Sequence, residues 1–222
     1  MRDGLIAALF PKDPYDGFPL KSYSQDINSW HDNRPSIQRI LEKYRPQTIA
    51  EVGSWKGQSA IFFADTLLNL DIHPLILCID TWLGSLEHWN HDASESSEEA
   101  YQELKHEYGY PTLYRQFIAN VLYSGMKEYI VPFPATSVMA AKWLKRQKYR
   151  FDCVFIDGSH EPEEVSLDLK FYSRLLTQKG FILGDDFKWP GVKSAVIDFM
   201  ESTKGYTLSL FDNDEIYFIR RI

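Results

Sequence analysis

Apolar residues fall into two alternating kinds of run: short continuous stretches rich in β-branched and aromatic residues, and longer ones in which apolar positions recur every three or four residues. After Pro35, the spacing of Ile37, Ile40, Leu41 and Tyr44 predicts a helix, and Thr48 to Val52 reads as a first strand ending at Gly53. Ala60, Phe63, Ala64 and Leu67 mark one face of the next helix. Leu75 to Ile79 is continuously apolar, as a strand buried on both faces of a parallel sheet would be, and stops at Asp80. From Thr81 to about Tyr123 the pattern loosens into a loop with Trp and His, an acidic stretch from Asp92 to Glu99, and two helices. Tyr129 to Phe133 predicts a third strand, Val138 to Lys145 a helix, and Phe151 to Ile156 a fourth strand ending at Asp157. Pro162 suits the first turn of a helix with Val165, Leu169, Tyr172 and Leu176 inward. Phe181 to Leu183 reads as a fifth strand running into Gly184-Asp185-Asp186, and Pro190 opens a helix carrying Val192, Ala195, Val196 and Phe199. Two β-rich runs, Tyr206 to Phe211 and Glu215 to Ile219, flank Asp212-Asn213-Asp214, a turn composition that predicts an antiparallel hairpin.

That alternation predicts an α/β fold: a mostly parallel sheet with an antiparallel C-terminal hairpin and helices on both faces. With 222 residues, 44% of them hydrophobic, the chain can bury one sizeable core, and no Pro/Gly/Ser-rich linker interrupts it, so 1–222 reads as a single domain. Within it, 1–34 reads as an N-terminal cap and 82–115 as an insertion covering the substrate. The formal net charge of -7 and scattered basic residues argue against a nucleic-acid partner. The cluster Lys142, Lys145, Arg146, Lys148, Arg150 reads as the solvated side of a helix. Cys78 and Cys153 sit inside apolar runs and read as packed free thiols, which suits a reducing cytoplasm. The N-terminal apolar run is too short for a secretory signal and no later run reaches the length of a membrane span, so no membrane partner is expected.

Chemistry concentrates where strands end. A strand entering G-x-x-x-G and then a helix is where an open α/β sheet binds a nucleotide-like ligand. In Glu51-Val52-Gly53-Ser54-Trp55-Lys56-Gly57, Trp55 stands where a dinucleotide fingerprint has its second glycine, so a pyrophosphate would be crowded out. S-adenosylmethionine has no phosphate, and a wider loop with Ser54 and Ser59 suits it. Glu51 could receive its ammonium, directly or through water, and Asp80 could accept from two ribose hydroxyls. Ala135-Thr136-Ser137 could meet the adenine edge. Structural alternatives stay open: Gly53 and Gly57 as a tight turn only, Asp80 as a helix cap, Thr136 or Ser137 as an N-cap.

Ile156-Asp157-Gly158-Ser159-His160 and Gly184-Asp185-Asp186 end two strands expected to be neighbours, about 4.8 Å apart. Three carboxylates then converge, an all-oxygen set of the kind Mg²⁺ prefers, although Asp185 or Asp186 could cap a helix and Asp157 a turn. His160 would lie beside the cation, which would depress its pKa and keep the imidazole neutral as a proton acceptor; alternatively it is a helix-start residue.

With E-V-G-S-W-K-G-Q-S, C-I-D-T-W-L-G, the F-I-A-N-V-L run from Phe117, I-D-G-S-H and L-G-D-D-F, the sequence resembles class I methyltransferases with a Rossmann-like sheet, over residues 48 to about 200. Within them it is similar to the macrocin O-methyltransferase and cephalosporin-hydroxylase-like group, related to metal-dependent catechol O-methyltransferases. The resemblance implies that Asp157, Asp185 and Asp186 bind a divalent ion, usually Mg²⁺, and that Glu51, Gly53, Ser54, Gly57, Ser59, Asp80, Thr81, Trp82, Thr136, Ser137 and Asp157 surround the donor. His160 stands where catechol O-methyltransferases have a catalytic lysine.

The expectation is metal-assisted methyl transfer to a hydroxyl of a small molecule, such as a sugar or polyketide-like natural product, with His160 as base. Trp30, His31, Trp82, His88, Trp89 and His91 read as a cover whose aromatics could stack on the acceptor, and Ser96 and Glu99 as a capping box. Two rivals are a dehydrogenase, which Trp55 disfavours, and a donor-binding protein of the same fold without methyl transfer. A homo-oligomer is left open.

Overall fold

The computed structural model describes residues 2–27, 35–89 and 101–222. Its centre is a seven-stranded sheet built from β1 (Thr48–Val52), β2 (Leu75–Asp80), β3 (Ile130–Pro134), β4 (Phe151–Ile156), β5 (Leu176–Gly184), β6 (Tyr206–Phe211) and β7 (Ile216–Arg221). The order is β3-β2-β1-β4-β5-β7-β6. Pairs from β3 through β5 are parallel, whereas β7 runs antiparallel to both β5 and β6, as the terminal turn predicts. Asp212, Asn213 and Asp214 all have positive φ, the conformation for which Asn and Asp are suited.

Alternation along the inner strands sends side chains to two cores, because successive strand residues face opposite sides of a sheet. Ala50, Val52, Leu75, Leu77 and Ile79 face one core, which α1 (Arg2–Leu9), α6 (Ser137–Arg146), α7 (Pro162–Tyr172) and α8 (Pro190–Ser202) cover. Ile49, Ile76 and Cys78 face the other, covered by α2 (Pro35–Tyr44), α3 (Gln58–Leu68) and α5 (Leu113–Tyr123); the short α4 (Leu86–Trp89) precedes α5. This two-sided burial explains the continuous apolar runs of β1, β2 and β4. Cys78 and Cys153 are buried free thiols, and the five basic residues from Lys142 to Arg150 are exposed.

Of the element boundaries that differ from the apolar runs, two have a clear physical cause. β3 starts one residue later than its apolar run and includes Pro132 and Pro134, which lack the N–H a central strand needs. Its position at the sheet edge removes that need. β5 begins at Leu176, well before Phe181, because pairing with β4 carries it through the polar residues Thr177 to Lys179. Among the described residues, no helix is long and apolar enough to cross a membrane.

Candidate functional site

The carboxyl ends of β1, β2, β4 and β5 meet along one edge of the sheet, where the order reverses around β1 and β4 and a crevice opens. Glu51 is fully buried beneath the loop that follows β1; its two oxygens accept from the Ser54 and Ser59 hydroxyls, each at 2.6 Å. Burial raises its pKa and these hydrogen bonds oppose the rise. Glu51 therefore orients two serine hydroxyls rather than projecting into solvent. Gly53 has φ +84°, and a Cβ there would overlap the Asp157 carbonyl oxygen, so glycine lets the loops after β1 and β4 touch. Gly57, also at positive φ, stands at the N-cap of α3.

Asp80 accepts from the backbone N–H groups of Ser54 and Trp55 on Oδ2, each at 2.9 Å, and of Trp82 on Oδ1 at 2.7 Å. A carboxylate offers about four acceptor sites. Backbone amides therefore already occupy much of that capacity, and a ribose hydroxyl would share the carboxylate with them. Burial raises the Asp80 pKa against these hydrogen bonds. Thr81 accepts from the Leu83 N–H at 3.2 Å.

Trp82 corrects the cover reading. It is 1% exposed, packs on Tyr114 and Phe117, and donates from its indole N–H to the Trp55 carbonyl at 2.8 Å, so it holds the loop and has no face left for an acceptor. The His88 ring lies tilted against Trp55 with centroids 4.4 Å apart, and Trp89 is exposed. Trp30, His31, His91 and the acidic stretch with Ser96 and Glu99 lie outside the described residues. Thr136 is the N-cap of α6, its hydroxyl accepting from Met139 N–H at 3.3 Å, and the Ser137 hydroxyl bonds Asp168.

His160, Asp157, Asp185 and Asp186 line one cleft with Ser159 and Tyr217. The His160 ring is gripped on both sides: Nδ1 lies 3.0 Å from Glu87 Oε1, Nε2 lies 3.1 Å from Asp186 Oδ2, and the ring stacks on Trp189 with centroids 4.3 Å apart. Hydrogen bonds to Asp186 and then Glu87 outweigh burial and push its pKa up to about 10, while Glu87 falls to about 2, chiefly through its hydrogen bond to His160. Without a cation the ring is therefore held charged by its two carboxylate partners, whereas the neutral imidazole is the form expected beside a bound cation. The causes of the charge are Asp186 first and then Glu87, whose approach the sequence does not foretell. Asp186 contributes most to the rise, so the charge on His160 is tied to whatever else Asp186 binds.

Glu215 joins the carboxylates here. Oxygens of Asp185, Asp186 and Glu215 lie within 4.8 Å of one another, whereas Asp157 lines the cleft without joining that group. An oxygen-only set of this kind fits a hard divalent cation.

Lys56 was invisible as more than a loop position. Its side chain is 2% exposed and pairs with Asp26 at 2.9 Å and with Glu103, while Lys105 reaches Asp26 at 2.8 Å. Asn120 donates to the Lys56 and Asp26 carbonyls, tying the N-terminal segment to the loop. No local pattern announces it, because the partners are 30 and 47 residues away. Removing one partner of a fully buried pair costs about 3–5 kcal/mol. Glu103 is 43% exposed and Asp26 keeps Lys105, so Lys56→Met is expected to cost less, about 1–3 kcal/mol. Urea unfolding midpoints check this, and an unchanged midpoint would show the network to be neutral.

A family model described as a methyltransferase domain matches residues 50–187, more than half the chain. A search of curated proteins found no significant match. Similar solved structures include the O-methyltransferase from Bacillus cereus in complex with SAH, at 14% identity and TM-score 0.59, covering 99% of this chain and 96% of that one. TomG from Streptomyces achromogenes, an O-methyltransferase involved in tomaymycin synthesis and solved with SAM, matches at 13% identity, TM-score 0.59, and 99% and 94% coverage. The SAH-bound Podospora anserina methyltransferase PaMTH1 matches at 17% identity, TM-score 0.54, and 84% and 76% coverage. These likenesses establish a shared fold.

Proposed function

Because the chain belongs to the methyltransferase-domain family, we propose that it is an S-adenosylmethionine-dependent, divalent-metal-assisted O-methyltransferase acting on a small-molecule hydroxyl. The observation that carries the reading is the pairing, along one sheet edge, of the Glu51–Gly57 loop with the cleft of Asp157, His160, Asp185 and Asp186. Donor and cation, when bound, supply the sulfonium methyl and a lowered pKa for an acceptor hydroxyl. The protein's own residues do the rest. Ser54 and Ser59, aimed by Glu51, and Asp80 hold the donor's polar ends; Asp185 and Asp186 hold the cation, with Asp157 beside them. With Asp186 engaged by a cation and no longer holding the ring charged, His160, kept in place by Glu87 and Trp189, would present a neutral Nε2 as the group that takes the acceptor's proton. Holding both reactants in one orientation contributes much of the acceleration.

Asp157-Gly158-Ser159-His160 with Asp185-Asp186 supports placement near the macrocin O-methyltransferase and cephalosporin-hydroxylase-like group. A natural-product-like acceptor is supported by the similarity to TomG. The test is methyl transfer from labelled S-adenosylmethionine to a panel of sugars, vicinal diols and phenols, with and without chelator. Turnover is expected to fall at least about ten-fold in chelator. Undiminished turnover would remove the metal, and donor binding without transfer to any acceptor would favour a binding protein.

A further inference from the structure

The hairpin that closes the sheet brings a carboxylate beside Asp185 and Asp186 from outside the segment that the family model matches. Glu215 ends the β6–β7 turn, and its carbonyl accepts from the Phe187 N–H at 3.0 Å, which ties the turn to the residues following Asp186. One of its carboxylate oxygens faces Lys188 Nζ at 3.6 Å; the other, Oε2, is buried without a hydrogen-bond partner among the described residues.

A second atom points to the same place. Tyr217, two residues on and so on the same face of the extended chain, is fully buried and lines the cleft with Asp185 and Asp186, yet its hydroxyl has no partner among the described residues. The ring lies over Gly184, where any Cβ would overlap it. Buried polar atoms are nearly always satisfied, and an orphan calls for a missing water or ion. A buried hydroxyl and a buried carboxylate oxygen, beside two more carboxylates, are what a cation with bound water would satisfy together.

We propose that Glu215 joins Asp185 and Asp186 as an oxygen ligand of a divalent cation, and that the Tyr217 hydroxyl hydrogen-bonds a water or acceptor oxygen held there. This rests on the metal-assisted reading above, and adds Glu215 to the protein oxygens that would hold the cation. Small hard cations keep several waters and take few carboxylates, which suits three protein oxygens in an open cleft.

The test is Mn²⁺ binding to the full chain, without donor or acceptor, followed by electron paramagnetic resonance and calorimetry for wild type, Glu215→Gln and Asp157→Asn, with folding checked by circular dichroism. Glu215→Gln is expected to weaken Mn²⁺ binding at least about ten-fold. Unchanged binding in Glu215→Gln with loss in Asp157→Asn overturns the Glu215 assignment and leaves the metal reading standing. Absence of Mn²⁺ binding by wild type overturns both. Should the Gln variant not fold, Glu215→Asp decides, because its shorter reach weakens binding to the same extent only if the carboxylate is a ligand.

Discussion

His160→Ala is expected to lower turnover at saturating donor and acceptor by about 10²–10⁴-fold, the range for a positioned general base, with KM values little changed. The ring touches the cleft and is fixed on three sides, by Glu87, Asp186 and Trp189, so its loss removes a proton acceptor without opening the core. His160→Gln, which keeps a hydrogen-bonding side chain but cannot take the proton, should be nearly as slow. An unchanged rate in either variant ends the base assignment.

The same ion pair has a stability signature. The charged ring contributes fully below the ordinary histidine value of 6.5, and its contribution is lost as pH rises through about 10. Glu87 contributes above its ordinary 4.5 and loses that contribution as pH falls through about 2. Without donor or cation, His160→Gln should therefore destabilise most between pH 4.5 and 6.5 and hardly at all near pH 10. Denaturation midpoints that differ by a constant amount across this range would remove the ion pair from the argument.

Gly53→Ala is expected to carry the larger stability cost. Alanine at φ +84° costs about 1–2 kcal/mol, and overlap with the Asp157 carbonyl adds about 1–3 kcal/mol of overpacking. A loss of about 2–5 kcal/mol follows, measured by urea unfolding, together with weaker donor binding, because the loops after β1 and β4 must separate. A variant of wild-type stability would show that the loops can part without cost.

Much of the sheet was legible because burial on both faces writes itself into continuous apolar runs, and because Asp80, Asp157 and Asp185 each follow such a run directly. The hairpin was legible from Asp212-Asn213-Asp214. What failed to show were relations across the chain. Glu87 meets His160 from 73 residues away and, with Asp186, raises the basicity of the ring. Lys56 and Glu215 look like ordinary surface charges until their partners are in place. Trp82 could have been cover or core, and packing against Tyr114 and Phe117 decided it.

The passage of the Tyr217 ring over Gly184 means that two strands share one volume between them. Among homologues, positions 184 and 217 should therefore change together: a lineage that gains a side chain at the first must give up the aromatic ring at the second, and with it the hydroxyl in the cleft. Glycine at 184 thus becomes an inherited marker for chains that keep this tyrosine, traceable by covariation alone.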